Sequence, residues 1–315
     1  MIVRKRLTWW QAIATYRGSI VRALWGRLLV VFVIAVAVTV AHEHFGLVQF
    51  DLTTVPFSLI GLALSIFLGF RNNTSYDRFW EGRKLWGALV NTGRTLTRDS
   101  LTLVGPKSKV NLETDEKIKA WQDKQVRAMA AYAHLLRLHL RDELDHTDLQ
   151  HLLPADRIEA LKNEHNRPAA LLQWMADDVR QAWCQGWIHD LHLPILHASL
   201  TRLTDIQGGC ERIKATPIPF SYTVLIHRIV GIYCIGLPFG LVSSIGPVTP
   251  LVVVLVAYAF FGLDVVGDEI ENPFGLDPND LPLTTLSRMI EVDVRKRVGH
   301  DDLPPLLKPV NELLQ

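Results

Sequence analysis

The sequence predicts an all-α integral membrane protein, with four membrane-spanning or membrane-associated helices and a large cytoplasmic helical bundle. Three observations predict it. Apolar residues pile up at 28–70 and 215–266, while 104–166 is strongly polar. Ile229–Leu263 runs for thirty-five residues without a formal charge. The polar regions repeat their apolar residues every three or four positions, and no alternating strand pattern occurs. Whole-chain composition, 49% hydrophobic and 21% charged, is close to a soluble average, so the distribution carries the inference. A net charge of +1 argues against a nucleic-acid partner.

Residues 1–23 read as a cytoplasmic N-terminal segment. Met1–Arg27 holds six Lys/Arg and no acid. Trp9, Trp10, Arg17, Arg22 and Arg27 precede the apolar run and no cleavage site follows it, so the segment reads as mature protein and not as a signal peptide. The first uncharged run, Leu28–His42, is short for a bilayer. Snorkelling of Arg27 and an interfacial Trp25 extend it to a span of 24–44. Leu52–Phe70 gives a second span at 54–72. The long run is interrupted at 243–250 by Gly246, Pro247 and Pro250, which divides it into spans at 221–244 and 249–266 joined by a tight turn. An uncharged run of roughly 10–14 residues also suits the core of a soluble protein; the last pair is too long for that.

Lys/Arg placement orients the spans. The N-terminal flank is basic, Arg71, Arg78, Arg83 and Lys84 follow the second span, and Arg295–Arg297 follows the fourth. The 45–53 linker and the 243–250 turn carry no Lys or Arg. Both termini and the 71–220 block therefore fall on the cytoplasmic side. The chain divides into 1–23, membrane helices 1 and 2 at 24–72, a cytoplasmic helical region at 73–220, membrane helices 3 and 4 at 221–266, and a cytoplasmic C-terminal helix and tail at 267–315.

The second helix is expected to continue past Phe70, with Tyr76, Phe79, Trp80, Arg83, Trp86 and Val90 as one stripe and charged pairs at helical spacing among Asp77, Arg78, Glu81 and Lys84. Between 115 and 145, Ile118, Trp121, Met129, Tyr132, Leu136 and Leu140 recur as a helical stripe with a weak point at Gln125. Pro154 and Pro168 sit where helices begin, with Asn166 as a cap for the second. That second helix, 168–187, carries Leu172, Met175, Val179 and Trp183. Pro194 opens a helix to about Arg212, and 283–298 forms the last one. The tail from Pro304 reads as an extended arm.

No catalytic constellation is present. There is no dinucleotide fingerprint, phosphate loop or nucleophile elbow, so the chain does not read as an enzyme. His189, His192 and His197 are broken up by Pro194, and His42 and His44 have alternate spacing, so neither group suits a metal. Cys184, Cys210 and Cys234 read as reduced thiols. No metal and no cofactor is expected. The second span is more informative. Gly61, Ser65 and Gly69 repeat every four residues, a spacing that lets membrane helices approach closely. Leu62, Ile66 and Phe70 repeat beside them, offset by about 100° around the helix. This ridge faces either lipid or a pore.

At these residues the chain resembles the bestrophin family, as a bacterial member. The resemblance is carried by SLIGLALSIFLGFRNNTSYDRFWEGRKLWG at 58–87, LPIL at 193–196 and DEIENPFG at 268–275. It implies a homopentamer around one central pore. It places the narrow neck at Leu62, Ile66 and Phe70, and the cytoplasmic aperture at Ile195. Two positions depart from the animal pattern. The acidic calcium-binding run after NPFG is reduced to LDPND, with Pro278 in the middle. The middle neck position is Ile66 and not phenylalanine, whose positive ring edge favours anions. The expected function is conduction of small monovalent ions through an apolar neck, cations over anions, with Asp51 a candidate mouth charge. The alternatives are an anion channel of the same fold, or a membrane scaffold or sensor that binds a soluble partner. A transporter would need polar groups at mid-bilayer, and these spans have few.

Overall fold

An apolar run becomes a helix where nothing breaks it, and two of the helices run on past their apolar segments, one to Thr102 and one to Glu271. In the computed structural model, which describes residues 1–2, 8–13, 15, 20–45, 53–105, 112–310 and 312–314, the protein is mostly helical. The helices are α1 (Trp9–Ile13), α2 (Val21–Phe45), α3 (Thr54–Thr102), α4 (Leu112–Leu140), α5 (Ala155–Lys162), α6 (Arg167–Cys184), α7 (Leu193–Ala215), α8 (Phe220–Ile245), α9 (Thr249–Glu271) and α10 (Leu283–Arg297). Among the described residues there is no β-strand, only isolated bridges such as Val104 with Ile188. Three helical stretches are long and apolar enough to cross a membrane, Val21–His44, Thr54–Thr102 and Phe220–Glu271. The last is broken into α8 and α9 at Gly246, whose φ of +52° is a conformation that only glycine adopts freely. Thr249 closes the turn by donating to the Gly246 carbonyl at 2.6 Å, and Pro250 occupies the first turn of α9.

The chain packs as two compact units. The apolar unit comprises residues 4–79 and 217–272. Here α2 packs along α8 and α9. Its core draws Leu24, Val31 and Ala35 from α2, Leu64 and Leu68 from α3, Val230 and Leu237 from α8, and Val253, Ala257 and Phe261 from α9. Only one stripe of α3 joins this core, at Leu64, Leu68, Arg71 and Ser75, and the remaining faces of that segment are largely exposed.

The polar unit comprises residues 1–3, 80–216 and 273–315, with α4 packed against α10, α6 and α7. The expected stripe on α4 is buried, and beyond Gln125 the helix is enclosed almost all round. Gln125 is tolerated inside because its amide donates to the Met175 carbonyl at 3.4 Å. Asn166 caps α6, its side chain accepting from the Ala169 amide at 3.2 Å. Two aromatic expectations need correction. Trp183 is 40% exposed, because its indole N–H is drawn outward to Asp190 at 2.9 Å. On α3, Tyr76 and Trp80 are exposed while Trp86 is fully buried. The face of α3 that enters the polar core runs through Gly82, Trp86, Leu89 and Leu96, not through the whole aromatic stripe.

Candidate functional site

The ridge expected on α3 is uncovered within this chain. Leu62, Ile66 and Phe70 are 63%, 50% and 62% exposed, against 2% for Leu64 and 0% for Leu68 on the packed stripe. Helix geometry accounts for the contrast, since residues four apart share a face and residues two apart stand on nearly opposite ones. Beside the ridge the small residues divide. A Cβ on Gly61 would lie 2.7 Å from the Tyr233 hydroxyl, so this glycine makes room for α8 of its own chain. Ser65 is exposed and returns its hydroxyl to the Gly61 carbonyl at 2.8 Å. A Cβ on Gly69 would meet nothing within 4 Å.

Ile195 stands in the first turn of α7 and is 45% exposed, while the adjacent Leu196 is fully buried. This turn is anchored from behind, where His192 Nδ1 lies 3.2 Å from the Leu103 carbonyl oxygen. His189 and His192 have ring centroids 5.6 Å apart. Asp51 lies outside the described residues.

One cluster escaped the sequence reading. Arg71, the residue after Phe70, is among the largest fully buried side chains. Its Nη1 donates to Asp264 Oδ1 at 2.7 Å, and its Nη2 donates to Asp268. His227 stands between the same two carboxylates, Nδ1 3.0 Å from Asp264 and Nε2 3.2 Å from Asp268. Arg27 approaches the other oxygen of Asp264 at 3.8 Å. Four helices, α2, α3, α8 and α9, thus meet on a single ionic cluster. His227, Asp264 and Asp268 offer ligand-type atoms within 4.8 Å of one another. The Arg71 guanidinium already supplies the cation that these carboxylates need, however. His227 also turns a different nitrogen to each carboxylate, whereas a metal takes one. The sequence signal available was the pair Asp264 and Asp268 at i, i+4 directly after an uncharged span. Their partner lies 193 residues away.

Comparison with known proteins agrees with this architecture. A family model described as bacterial/fungal bestrophin protein matches residues 1–296. A voltage-dependent anion channel-forming protein of Ralstonia nicotianae is 43% identical over 304 residues, 96% of each chain. One of Escherichia coli K12 is 35% identical over 313 residues, 98% of each chain. The crystal structure of a bacterial bestrophin homologue from Klebsiella pneumoniae, solved by Zn-SAD phasing, superposes with a TM-score of 0.81 at 32% identity, covering 88% of this chain and 99% of that one.

Proposed function

The chain belongs to the bacterial/fungal bestrophin family, and on that premise we propose that it is a homopentameric membrane channel for small monovalent ions, with Leu62, Ile66 and Phe70 as its neck and Ile195 at a second aperture. The observation that carries this reading is the uncovered ridge. Three large apolar side chains in register on one helix face are left half or more exposed by the described residues, and a shared axis among identical subunits would cover them. Rings of such residues oppose ion passage by excluding water. Ser65 and Gly69, unpacked in the single chain, suit close approach of a neighbouring copy.

The sign of the ion follows the relatives, which are named for anions. A second reading, cations, rests on Ile66, because an aliphatic ring lacks the positive aromatic edge that draws anions. Purified protein in planar bilayers under a salt gradient decides between them. A reversal potential near that of the anion is expected. A potential near that of the cation selects the second reading, and absence of current leaves the scaffold or sensor function.

Orientation is a further expectation. The basic flanks place both termini and the polar unit in the cytoplasm of a bacterial inner membrane. An impermeant thiol reagent added to intact cells should label a cysteine introduced at Gln49 but not one at Asn163. Labelling at Asn163 would overturn this topology.

A further inference from the structure

Charge balance and the facing of the ring nitrogens ask for opposite protonation states of His227 in the cluster around Arg71. Arg27 and Arg71 carry two positive charges, and Asp264 and Asp268 carry two negative ones. A neutral imidazole has a single N–H, yet both ring nitrogens face a carboxylate oxygen, at 3.0 Å and 3.2 Å. In the neutral form, one of these contacts sets a lone pair against an anion. Nδ1 is buried, and its contact with Asp264 lacks the alignment of a hydrogen bond. A proton removes the conflict, because an imidazolium is attracted to both carboxylates whichever nitrogen faces which. The site is reachable, since the side chains of His227 and Asp268 are 36% and 38% exposed. The charged groups that face His227 are Asp264 and Asp268 on α9 and Arg71 on α3, with Arg27 of α2 beyond Asp264.

We propose that His227 is a proton-binding site that sets the charge beside the neck, so that acidification shifts ion preference towards anions. The inference rests on the neck assignment. Arg71 follows Phe70 directly on α3, so the cluster is bonded to the backbone that carries the last neck residue. Each subunit gains one positive charge when His227 is protonated, and symmetry repeats that charge around the axis. Arg71 and His227 also share both carboxylates, so the proton changes the hold of α9 on α3. Selectivity and conductance should therefore titrate together.

The experiment records reversal potential in a potassium chloride gradient at about pH 8 and about pH 5.5, for the full-length wild type, His227→Gln and Asp268→Asn. In the wild type, the chloride-to-potassium permeability ratio should rise severalfold on acidification. His227→Gln should abolish the rise and keep the alkaline value at both pH values. Asp268→Asn removes a negative charge, so it should show a raised ratio already at the alkaline pH. This variant keeps the test valid if His227→Gln fails to assemble. A full acid shift in His227→Gln would overturn the proposal, as would an unchanged alkaline ratio in Asp268→Asn. Ile66→Phe, recorded in the same gradient, separates the two levels of inference. If it alters the ratio while His227→Gln leaves the acid shift intact, the neck stands and the proton site falls. If it alters nothing, the neck assignment itself is wrong.

Discussion

Shortening Ile66 to alanine should raise single-channel current severalfold, the larger of two expected effects on the proposed neck. The change is repeated in every subunit, so one lost side chain widens the whole ring and lowers the barrier to wetting. Ile66→Phe should narrow the ring and turn aromatic edges to the axis, moving reversal potential towards the anion. Leu64 supplies the contrast. It lies about 200° around the helix from Ile66 and is 2% exposed in the apolar core, whereas Ile66 is 50% exposed. Leu64→Ala leaves a cavity and should cost about 2–5 kcal/mol of stability, with reversal potential unchanged. If Leu64 variants move the reversal potential and Ile66 variants do not, the ridge faces lipid or a neighbouring helix.

The second large effect is on stability. Glu291 of α10 has a fully buried carboxylate that meets His134 at 2.9 Å, His151 at 2.6 Å and Arg295 at 3.0 Å, with Arg288 at 3.7 Å. Arg295 is itself fully buried. Removing the carboxylate leaves that guanidinium with Asp302, whose side chain is 72% exposed, as its remaining charge partner, beside His300 Nδ1 at 3.1 Å. Glu291→Ala should destabilise the polar unit by about 3–5 kcal/mol, the usual cost of stranding a buried charge. Thermal melting of the purified protein measures it, and an unchanged melting temperature would mean that water or the tail fills the gap.

The same network predicts the acid response. Burial by itself raises the Glu291 pKa, but hydrogen bonds from His134 and His151 outweigh it and hold the carboxyl at about 2. A depressed carboxyl contributes stability above its unfolded value, here 4.5, and loses it as pH falls through about 2. His134 acts in the same direction from a higher pH. Burial lowers its pKa from 6.5, so the unfolded chain takes up a proton first and stability falls below that value. Melting temperature should therefore decline in two stages on acidification. Glu291→Gln should diminish the lower stage, to which Asp148, also held below its ordinary value, contributes.

The sequence reaches local elements more readily than tertiary contacts. The residues expected to be helical at 24–44, 54–72, 221–244 and 249–266 lie in α2, the first part of α3, α8 and α9. The Asn166 cap and the turn at Gly246 also stand where their residues placed them. Hydropathy, helix period, caps and breakers act within a few residues of one another, so one pass along the chain reads them. Ile66 and Leu64 look alike in such a pass. Both are large aliphatic residues in an uncharged run, and nothing local says which one joins the apolar core with Val230 and Phe261 and which stays half exposed. Trp183 and Trp86 were alike for the same reason, and one is exposed while the other is sealed.

The charged cluster marks the boundary most clearly. By itself the sequence determined that uncharged runs stop at Arg71 and Asp264, and charge is costly in hydrocarbon. Only the tertiary structure decided that these two residues meet, with His227 between Asp264 and Asp268. An ion pair across 193 residues exists only once α3, α8 and α9 are packed, since packing removes the water that would otherwise solvate each charge alone.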